Sequence, residues 1–390
     1  MDKVRIGIVG IGNMGGAHAG NILKGQVANA QLTAVCDILP ERLARVKDDS
    51  VAKFSDAEEM YKSGLVDAVI VAVPHYQHAE LVIKALENGL HALCEKPAGV
   101  YTKQVREMNE AAAKSDKVFG IMYNQRTTPV FQKLREMIQK GELGHIKRIN
   151  WQITNWYRPQ SYHDSGAWRS TWKDEGGGVL INQCPHNMDL WQWMFGMPET
   201  IHSFVDYGKY YNIEVEDDVT AFMKYKDGST GVFITSTGEA PGTNRLEVAC
   251  DMGKVVVEDN CKMTFYRNTV SEREFNKTFK GVFGAPETWE CKIPIREEKR
   301  VPHCIIIEDW VKSILTGSEL IAPGEEGIKG LTISNSIHLS SWTGETIDVA
   351  NLDEDKFLDM LNDKIAKSTY VKKVVPQVAG DDITASFGGH

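Results

Sequence analysis

Apolar and polar positions follow two different rhythms along this chain, and the change from one to the other falls near residue 125. Before that point, short β-branched runs alternate with stretches of helical periodicity. Strands are predicted at 4–9, 31–36, 68–72, 91–94 and 118–122. The stretch Ala79-Glu80-Leu81-Val82-Ile83-Lys84-Ala85-Leu86 is typical of the helical pieces between them, and Asn88-Gly89 reads as its C-cap. Strands separated by helices predict a doubly wound parallel sheet with helices on both faces.

After residue 125 a helix is predicted over 128–140, stopped by Gly141 and Gly144. Alternating runs follow at 146–154, 218–225, 230–237, 245–250, 254–258 and 263–267. Turns such as Lys226-Asp227-Gly228-Ser229 and Asp251-Met252-Gly253-Lys254 join several of them, which predicts an antiparallel sheet. Between the first of these strands and the rest lie Gly176-Gly177-Gly178 and a predicted helix over 185–195, and further helical patterns cover 304–315 and 324–341. The chain therefore divides into a first unit at 1–124 and a second at 125–390. The last ~20 residues, ending in Gly388-Gly389-His390, are expected to pack poorly.

Composition narrows the class. With 390 residues, 42% of them apolar and 25% charged, the chain has the make-up of a globular protein rather than a disordered, collagen-like or coiled-coil one. No apolar run approaches the roughly 18 residues of a membrane helix. A net charge of −9 argues against a nucleic-acid partner, since phosphate binding needs a basic surface. The N-terminus carries no secretory pattern. Seven scattered cysteines with no C-x-x-C spacing fit neither a disulfide framework nor a zinc site, so a reducing cytoplasm is expected.

Chemistry begins at the end of the first strand. Gly10-Ile11-Gly12-Asn13-Met14-Gly15 is a G-x-G-x-x-G loop between strand and helix. Its glycines permit the tight turn, the approach of a pyrophosphate and close helix–strand packing, and the helix N-terminus faces the phosphates. Asp37 ends the second strand, where a carboxylate receives the adenosine ribose hydroxyls. It would repel a 2′-phosphate and so favours NAD over NADP, a preference that Arg42 is placed to soften. The bland alternative is a strand–helix turn with a capping aspartate.

Two further motifs extend the picture. Cys94-Glu95-Lys96-Pro97 follows the strand at 91–94, and Gly176-Gly177-Gly178-Val179-Leu180-Ile181-Asn182-Gln183-Cys184-Pro185-His186-Asn187-Met188-Asp189 precedes and opens the helix at 185–195. Supporting stretches are Val73-Pro74-His75-Tyr76-Gln77-His78, Gly141-Glu142-Leu143-Gly144 and Glu216-Asp217-Asp218. Over about 1–350 the chain resembles the Gfo/Idh/MocA family of sugar and inositol oxidoreductases. The resemblance implies a Rossmann domain, a C-terminal α/β domain on an open, mostly antiparallel sheet, and homo-oligomers (dimer, tetramer or higher) formed through that sheet's flat face. It also implies that Lys96 hydrogen-bonds the reacting hydroxyl. Many relatives carry Asp where this chain has Asn182, which removes one charge from the site.

Alcohol oxidation needs a hydride acceptor, a base for the hydroxyl proton and a cation beside the developing alkoxide. Lys96 at a strand's C-terminal edge fits the cation role, with Glu95 as an orienting group and Pro97 fixing the turn. His186 fits the acid/base role, since histidine titrates near neutrality. If the helix extends back to Asn182, the two share a face; Asn182 can still hydrogen-bond a hydroxyl or the imidazole. Asp189 is either an orienter of His186 or a helix-surface acid. Six of the nine tryptophans lie within 151–193. Among them Tyr157, Arg158, His163, Trp168 and Arg169 are candidate substrate contacts, and His163 is a candidate extra acid/base. The competing view is that these aromatics anchor a domain interface. Pro74 and His78 are expected at the cofactor, and Asn124 and Arg126, at the junction, are expected to touch cofactor or substrate. No metal-ligand pattern is present.

The expected function is NAD-dependent hydride transfer to or from a secondary hydroxyl of a small carbohydrate or polyol: a sugar, a glycoside (the glucose 3-hydroxyl included) or an inositol. Two alternatives are a redox-assisted glycosidase or lyase with recycled NAD, and a non-catalytic NAD-binding sensor.

Overall fold

A computed structural model describes residues 3–375. The expectation about the last ~20 residues falls mostly on 376–390, outside the described residues.

The first sheet contains β1 (Val4–Val9), β2 (Ala30–Cys36), β3 (Ala52–Phe54), β4 (Ala68–Val71), β5 (His91–Cys94) and β6 (Phe119–Ile121). Their order is β3-β2-β1-β4-β5-β6 and every pairing is parallel. β4 is buried along its whole length, as its Ala-Val-Ile-Val run requires when helices cover both faces. Asn88 caps the helix His78–Glu87, as expected. The order reverses between β1 and β4, so the crevice at their C-terminal ends is where a doubly wound sheet receives ligands.

The second sheet holds β7 (Ile146–Ile153), β8 (Thr200–Tyr207), β9 (Glu216–Lys224), β10 (Thr230–Ser236), β11 (Asn244–Cys250), β12 (Gly253–Glu258), β13 (Lys262–Asn268), β14 (Thr288–Ile293) and β15 (Ile347–Asp348). Its order is β14-β13-β12-β11-β7-β10-β9-β8-β15. All pairs are antiparallel except β7 with β10, which makes the sheet mostly antiparallel. Burial alternates along β11: Asn244, Leu246, Val248 and Cys250 face inward. The buried face is covered by the helices Pro129–Gln139, Pro185–Phe195 and Gly327–Thr343, with Trp151, Trp191 and Phe233 in edge-on and stacked contact beneath them. The opposite face leaves Phe204 74% exposed, with Phe222 and Tyr266 also open to solvent.

The helix Pro302–Thr316 returns to the first sheet. Ile307, Trp310 and Val311 join the same core as Ile6, Val69 and Leu93, and Trp310 Nε1 donates to the Val118 oxygen at 3.4 Å. Strands β3, β8, β14 and β15 and the helix Glu354–Lys367 carry no counterpart among the predicted elements. In β8 the alternation is broken, since polar Ser203 is buried and Phe204 is exposed.

Candidate active site

The loop after β1 is built for close approach. Gly10 has φ +90°, and a Cβ there would lie 2.3 Å from the Ala72 oxygen; at Gly15 it would lie 1.8 Å from the Gly10 oxygen. Gly12, by contrast, has nothing within 4 Å of its Cβ position, so the space in front of it is open. Gly12 is also the N-cap of the helix Asn13–Leu23 and no side chain caps that end. Asn13 is exposed and Met14 half-buried on its first turn. These features fit a dinucleotide pyrophosphate. Asp37 is buried and accepts from the Ile11 N–H at 2.7 Å and the Leu39 N–H at 2.9 Å, so it also fixes the phosphate loop. Arg42 reaches the same carboxylate at 3.5 Å, which keeps it from standing free as a phosphate ligand.

At the ends of β4 and β5 the chain braces itself. Pro74 opens the short 3-10 turn His75–Gln77. Both ring nitrogens of His78 face main-chain oxygens, Pro97 at 2.7 Å and Val73 at 2.8 Å, and the ring is buried. Its side chain ties two loops together, and both ring nitrogens are engaged there. Glu95 is also buried. Its Oε1 lies 2.7 Å from His18 Nε2, and its Oε2 accepts from the Lys96 N–H at 3.1 Å. Burial pushes the Glu95 carboxyl up, but the hydrogen bond and charge of His18, with His303 and Lys96, bring it down to about 2. His303, at the start of the helix Pro302–Thr316, has its ring 5.7 Å from that of His18 and its Nδ1 3.5 Å from Asn124 Nδ2. Burial holds His303 down to about 4.

The Lys96–Pro97 peptide is cis. Lys96 Nζ donates to the Asn182 main-chain oxygen at 3.0 Å. Burial lowers its ammonium pKa, while Glu95 and Glu175 pull the other way. His186 is 8% exposed on the helix Pro185–Phe195, edge-on to Tyr123 at 6.2 Å, and its Nδ1 has no protein partner among the described residues. Burial, then the positive charge of Lys96, keeps this imidazole well below its ordinary range and therefore neutral. Asn182 lies in the turns before the helix rather than on it, because the helix starts at Pro185. Its amide Nδ2 donates to the Tyr162 hydroxyl at 3.3 Å and to Glu175 Oε1.

Glu175 is a group the sequence reading passed over. It is buried, accepts from the Ser170 N–H as well as Asn182, and its own main-chain oxygen meets His75 Nδ1 at 2.9 Å. Burial carries its carboxyl up to about 7, against the pull of Arg169. The available signal was an acid next to three glycines, which offer it no side-chain partner. His303 offered no signal at all, since nothing local distinguishes a histidine at a helix start.

The wall formed by 155–175 brings most expected residues together. Tyr162 is its hub: the hydroxyl receives Arg169 Nη1 at 2.8 Å and Gln183 Nε2 at 3.1 Å. Arg169 stacks on the Tyr162 and Trp168 rings, and Arg158 on those of Tyr162 and Trp156. His163 Nδ1 pairs with Ser170 Oγ at 2.8 Å while its Nε2 is buried without a protein partner among the described residues. Burial, then Lys372 and Arg169, lowers His163 to about 4. Lys372 comes from the extended C-terminal stretch and donates to the His163 main-chain oxygen. Tyr157 is half exposed.

Arg126, expected to touch cofactor or substrate, is engaged in ion pairs within the protein. It is 1% exposed, bidentate to Asp189 at 2.6 and 2.8 Å, and it also meets Glu326 at 2.6 Å. This is a buried structural ion pair, and it also accounts for Asp189, which neither orients His186 nor lies on the surface. A groove of about 930 Å³ lies between the helix Pro129–Gln139 and the β13–β14 edge and holds none of the residues above. Among the described residues no cluster of His, Cys, Asp or Glu suits a metal ion, and no helix is long and apolar enough to cross a membrane.

Comparison with known proteins places this fold in a family. Residues 4–123 match the oxidoreductase family with an NAD-binding Rossmann fold, and 131–256 match the GFO/IDH/MocA C-terminal domain. The myo-inositol 2-dehydrogenase of Thermotoga maritima is 25% identical over 340 residues, covering 85% of this chain and 94% of that protein. The scyllo-inositol 2-dehydrogenase (NAD+) of Bacillus subtilis is 27% identical over 234 residues, 59% of this chain and 65% of that one. Among solved structures, the WlbA dehydrogenase of Chromobacterium violaceum, in complex with NADH and UDP-GlcNAcA, superposes with a TM-score of 0.76 at 26% identity, covering 89% of this chain and 96% of that one. The chain belongs to the GFO/IDH/MocA family of NAD-dependent oxidoreductases.

Proposed function

We propose that the protein transfers hydride between NAD and a secondary hydroxyl of a sugar, a glycoside such as a glucoside at its 3-hydroxyl, or an inositol. The observation that carries this reading is the meeting of a half-buried Lys96 ammonium, a neutral His186 and a hydroxyl-rich wall at the mouth of the NAD-binding crevice. NAD bound along Gly10, Gly12, Asn13, Met14 and Gly15, with Asp37 at its ribose, supplies the hydride acceptor. Pro74 and the Glu95–Lys96 corner border the same crevice.

The chain's own groups handle the proton. Lys96 keeps two N–H donors beyond its bond to Asn182, and these stabilise an alkoxide as it develops. His186, uncharged with a bare Nδ1, accepts the hydroxyl proton and returns it in the reverse direction. Asn124, Arg158, His163, Trp168, Arg169 and Asn182 recognise the substrate, Trp168 through its aromatic face; Tyr157 lines the outer rim. Two units, 1–124 and 125–390, divide cofactor and substrate binding between them. The exposed aromatic face of the second sheet supports association of copies of this chain. Seven cysteines, all free, support a cytoplasmic setting.

A second reading, NAD-assisted elimination of an aglycone, is favoured by one observation: the buried, unpartnered Nε2 of His163 is a candidate base for a carbon acid. The purified protein would be incubated anaerobically with NAD and a panel of inositols, hexoses and O- and C-glucosides, with absorbance and mass spectrometry read together. Substrate-dependent NADH with loss of two hydrogens is the expected result. Aglycone release without net NADH would shift the reading to the elimination, and neither change across the panel would overturn both.

A further inference from the structure

The proposed chemistry uses Lys96 and His186 and leaves one buried ionisable group unexplained. Glu175 is sealed from solvent, yet no arginine or lysine forms an ion pair with it among the described residues. Its two oxygens are held by the Ser170 main-chain N–H and the Asn182 side-chain amide. Asn182 in turn carries Lys96 on its main-chain oxygen. A carboxylate, an amide and an ammonium therefore lie in series, ending at the atom that faces the reacting hydroxyl.

The amide has two orientations, related by a half-turn. An ionised Glu175 accepts only, so it selects the orientation in which Nδ2 faces it and repels the one that would bring Oδ1 against its oxygens. Nδ2 also serves the Tyr162 hydroxyl at 3.3 Å. Oδ1 then has no protein partner among the described residues and is left as an acceptor. Once Glu175 is protonated it becomes a donor, and the preference between the two orientations is lost.

Resting on the reading above, we propose that Glu175 is a positioning residue of the proton-transfer site: its carboxylate turns the Asn182 amide so that Oδ1 accepts a substrate hydroxyl, and with Glu95 it is a counter-charge that holds Lys96 as an ammonium. Two facts support this. Glu175 is among the groups that raise the proton affinity of Lys96 against the burial that lowers it. Its own carboxyl sits at about 7, where a change of charge state alters the site under ordinary conditions. The groups bearing on that titration are Arg169, Lys96 and Lys372, which favour the anion, and Glu216, which opposes it; His75 meets only its main-chain oxygen.

The test is Glu175→Gln, which preserves shape and removes the charge: its Oε1 still accepts from the Ser170 N–H, while its Nε2 is a donor and favours the turned Asn182 amide. Folding and NADH affinity, from thermal melting and fluorescence titration, are expected to stay near the parent's. With a substrate from the panel, kcat is expected to fall about tenfold or more with KM changed far less, and the rise of activity through pH 7 to disappear. A second readout needs no substrate: with 13Cε-labelled lysine, assigned through Lys96→Arg, the Lys96 resonance is expected to titrate at lower pH in Glu175→Gln than in the parent. A parent-like Lys96 midpoint overturns the proposal whether or not any substrate turns over, and so does a parent-like pH profile. Absence of all turnover overturns the dehydrogenase reading alone. If Glu175→Gln does not fold, Glu175→Asp takes its place, since it keeps the charge but shortens its reach to Asn182. A lower kcat with the pH 7 limb retained is expected there, and a parent-like kcat overturns the proposal.

Discussion

Lys96 and Asn182 join the two sheets through a single hydrogen bond, from the Lys96 ammonium at the end of β5 to a main-chain oxygen in the turns before the helix Pro185–Phe195. A main-chain acceptor fixes the lysine's direction whatever residue occupies position 182. It also leaves the remaining N–H donors of Lys96 for the substrate. Lys96→Met is therefore expected to lower kcat by about 10²-fold or more while leaving NADH affinity near the parent value. Stopped-flow hydride transfer and NADH fluorescence titration would check it; parent-like turnover would remove Lys96 from the chemistry. His186→Asn is expected to behave alike.

The three glycines of the phosphate loop should fail in different ways. Gly12→Ala adds a methyl into open space, so the protein should fold and melt near the parent, with NAD affinity reduced about tenfold or more because the methyl occupies the approach of the pyrophosphate. Gly15→Ala forces a Cβ onto the Gly10 oxygen and should fail at the level of soluble, folded protein. Calorimetric titration of NAD paired with melting curves separates the two cases.

Arg126 should matter for stability rather than recognition. Arg126→Met leaves Asp189 buried and without its cation, which is expected to cost about 3–5 kcal/mol in denaturant unfolding. Substrate KM in the surviving folded protein should move little. A large KM effect at unchanged stability would return Arg126 to the binding site.

Acid should weaken the fold before it reaches the carboxylates' ordinary range. His163 and His303 are held at about 4 by burial, so the unfolded chain binds their protons first as pH drops below about 6.5. Stability from these two groups is complete above that point and declines as pH falls toward 4. Glu175, raised to about 7, has the opposite sign: its folded form holds a proton that the unfolded chain releases, so it favours folding at the acid end of the same window. Two histidines against one carboxyl give a net loss toward acid. Glu175→Gln should steepen the loss and His163→Gln should flatten it, as read from melting temperature against pH.

Much of this was legible in the chain itself, for identifiable reasons. β1, β5 and the helix Pro185–Phe195 end where expected because each is bounded by residues with one backbone role: Gly10, Pro97, Pro185 and Gly196. The phosphate loop was legible because its constraint is steric and local. Glu175 was not, because its significance depends on what surrounds it: the same acid in solvent would be unremarked, and only the fold buries it against Asn182. The ion pairs of Arg126 were illegible for the same reason, since its partners Asp189 and Glu326 are distant in sequence. β8 escaped because polar Ser203 faces inward and apolar Phe204 outward, which breaks the alternation.

Strand β7 lies in the middle of the second sheet, yet both of its neighbours, β10 and β11, come much later in the chain. During synthesis, Ile146–Ile153 leaves the ribosome with an apolar face and two unpaired edges, and it must wait for Thr230–Cys250 before either edge is closed. The first unit waits too, because Trp310 completes its core from beyond β14. Neither unit can close before distant later segments have been made, so the nascent chain keeps unpaired strand edges and an incomplete core until residues past Trp310 have emerged.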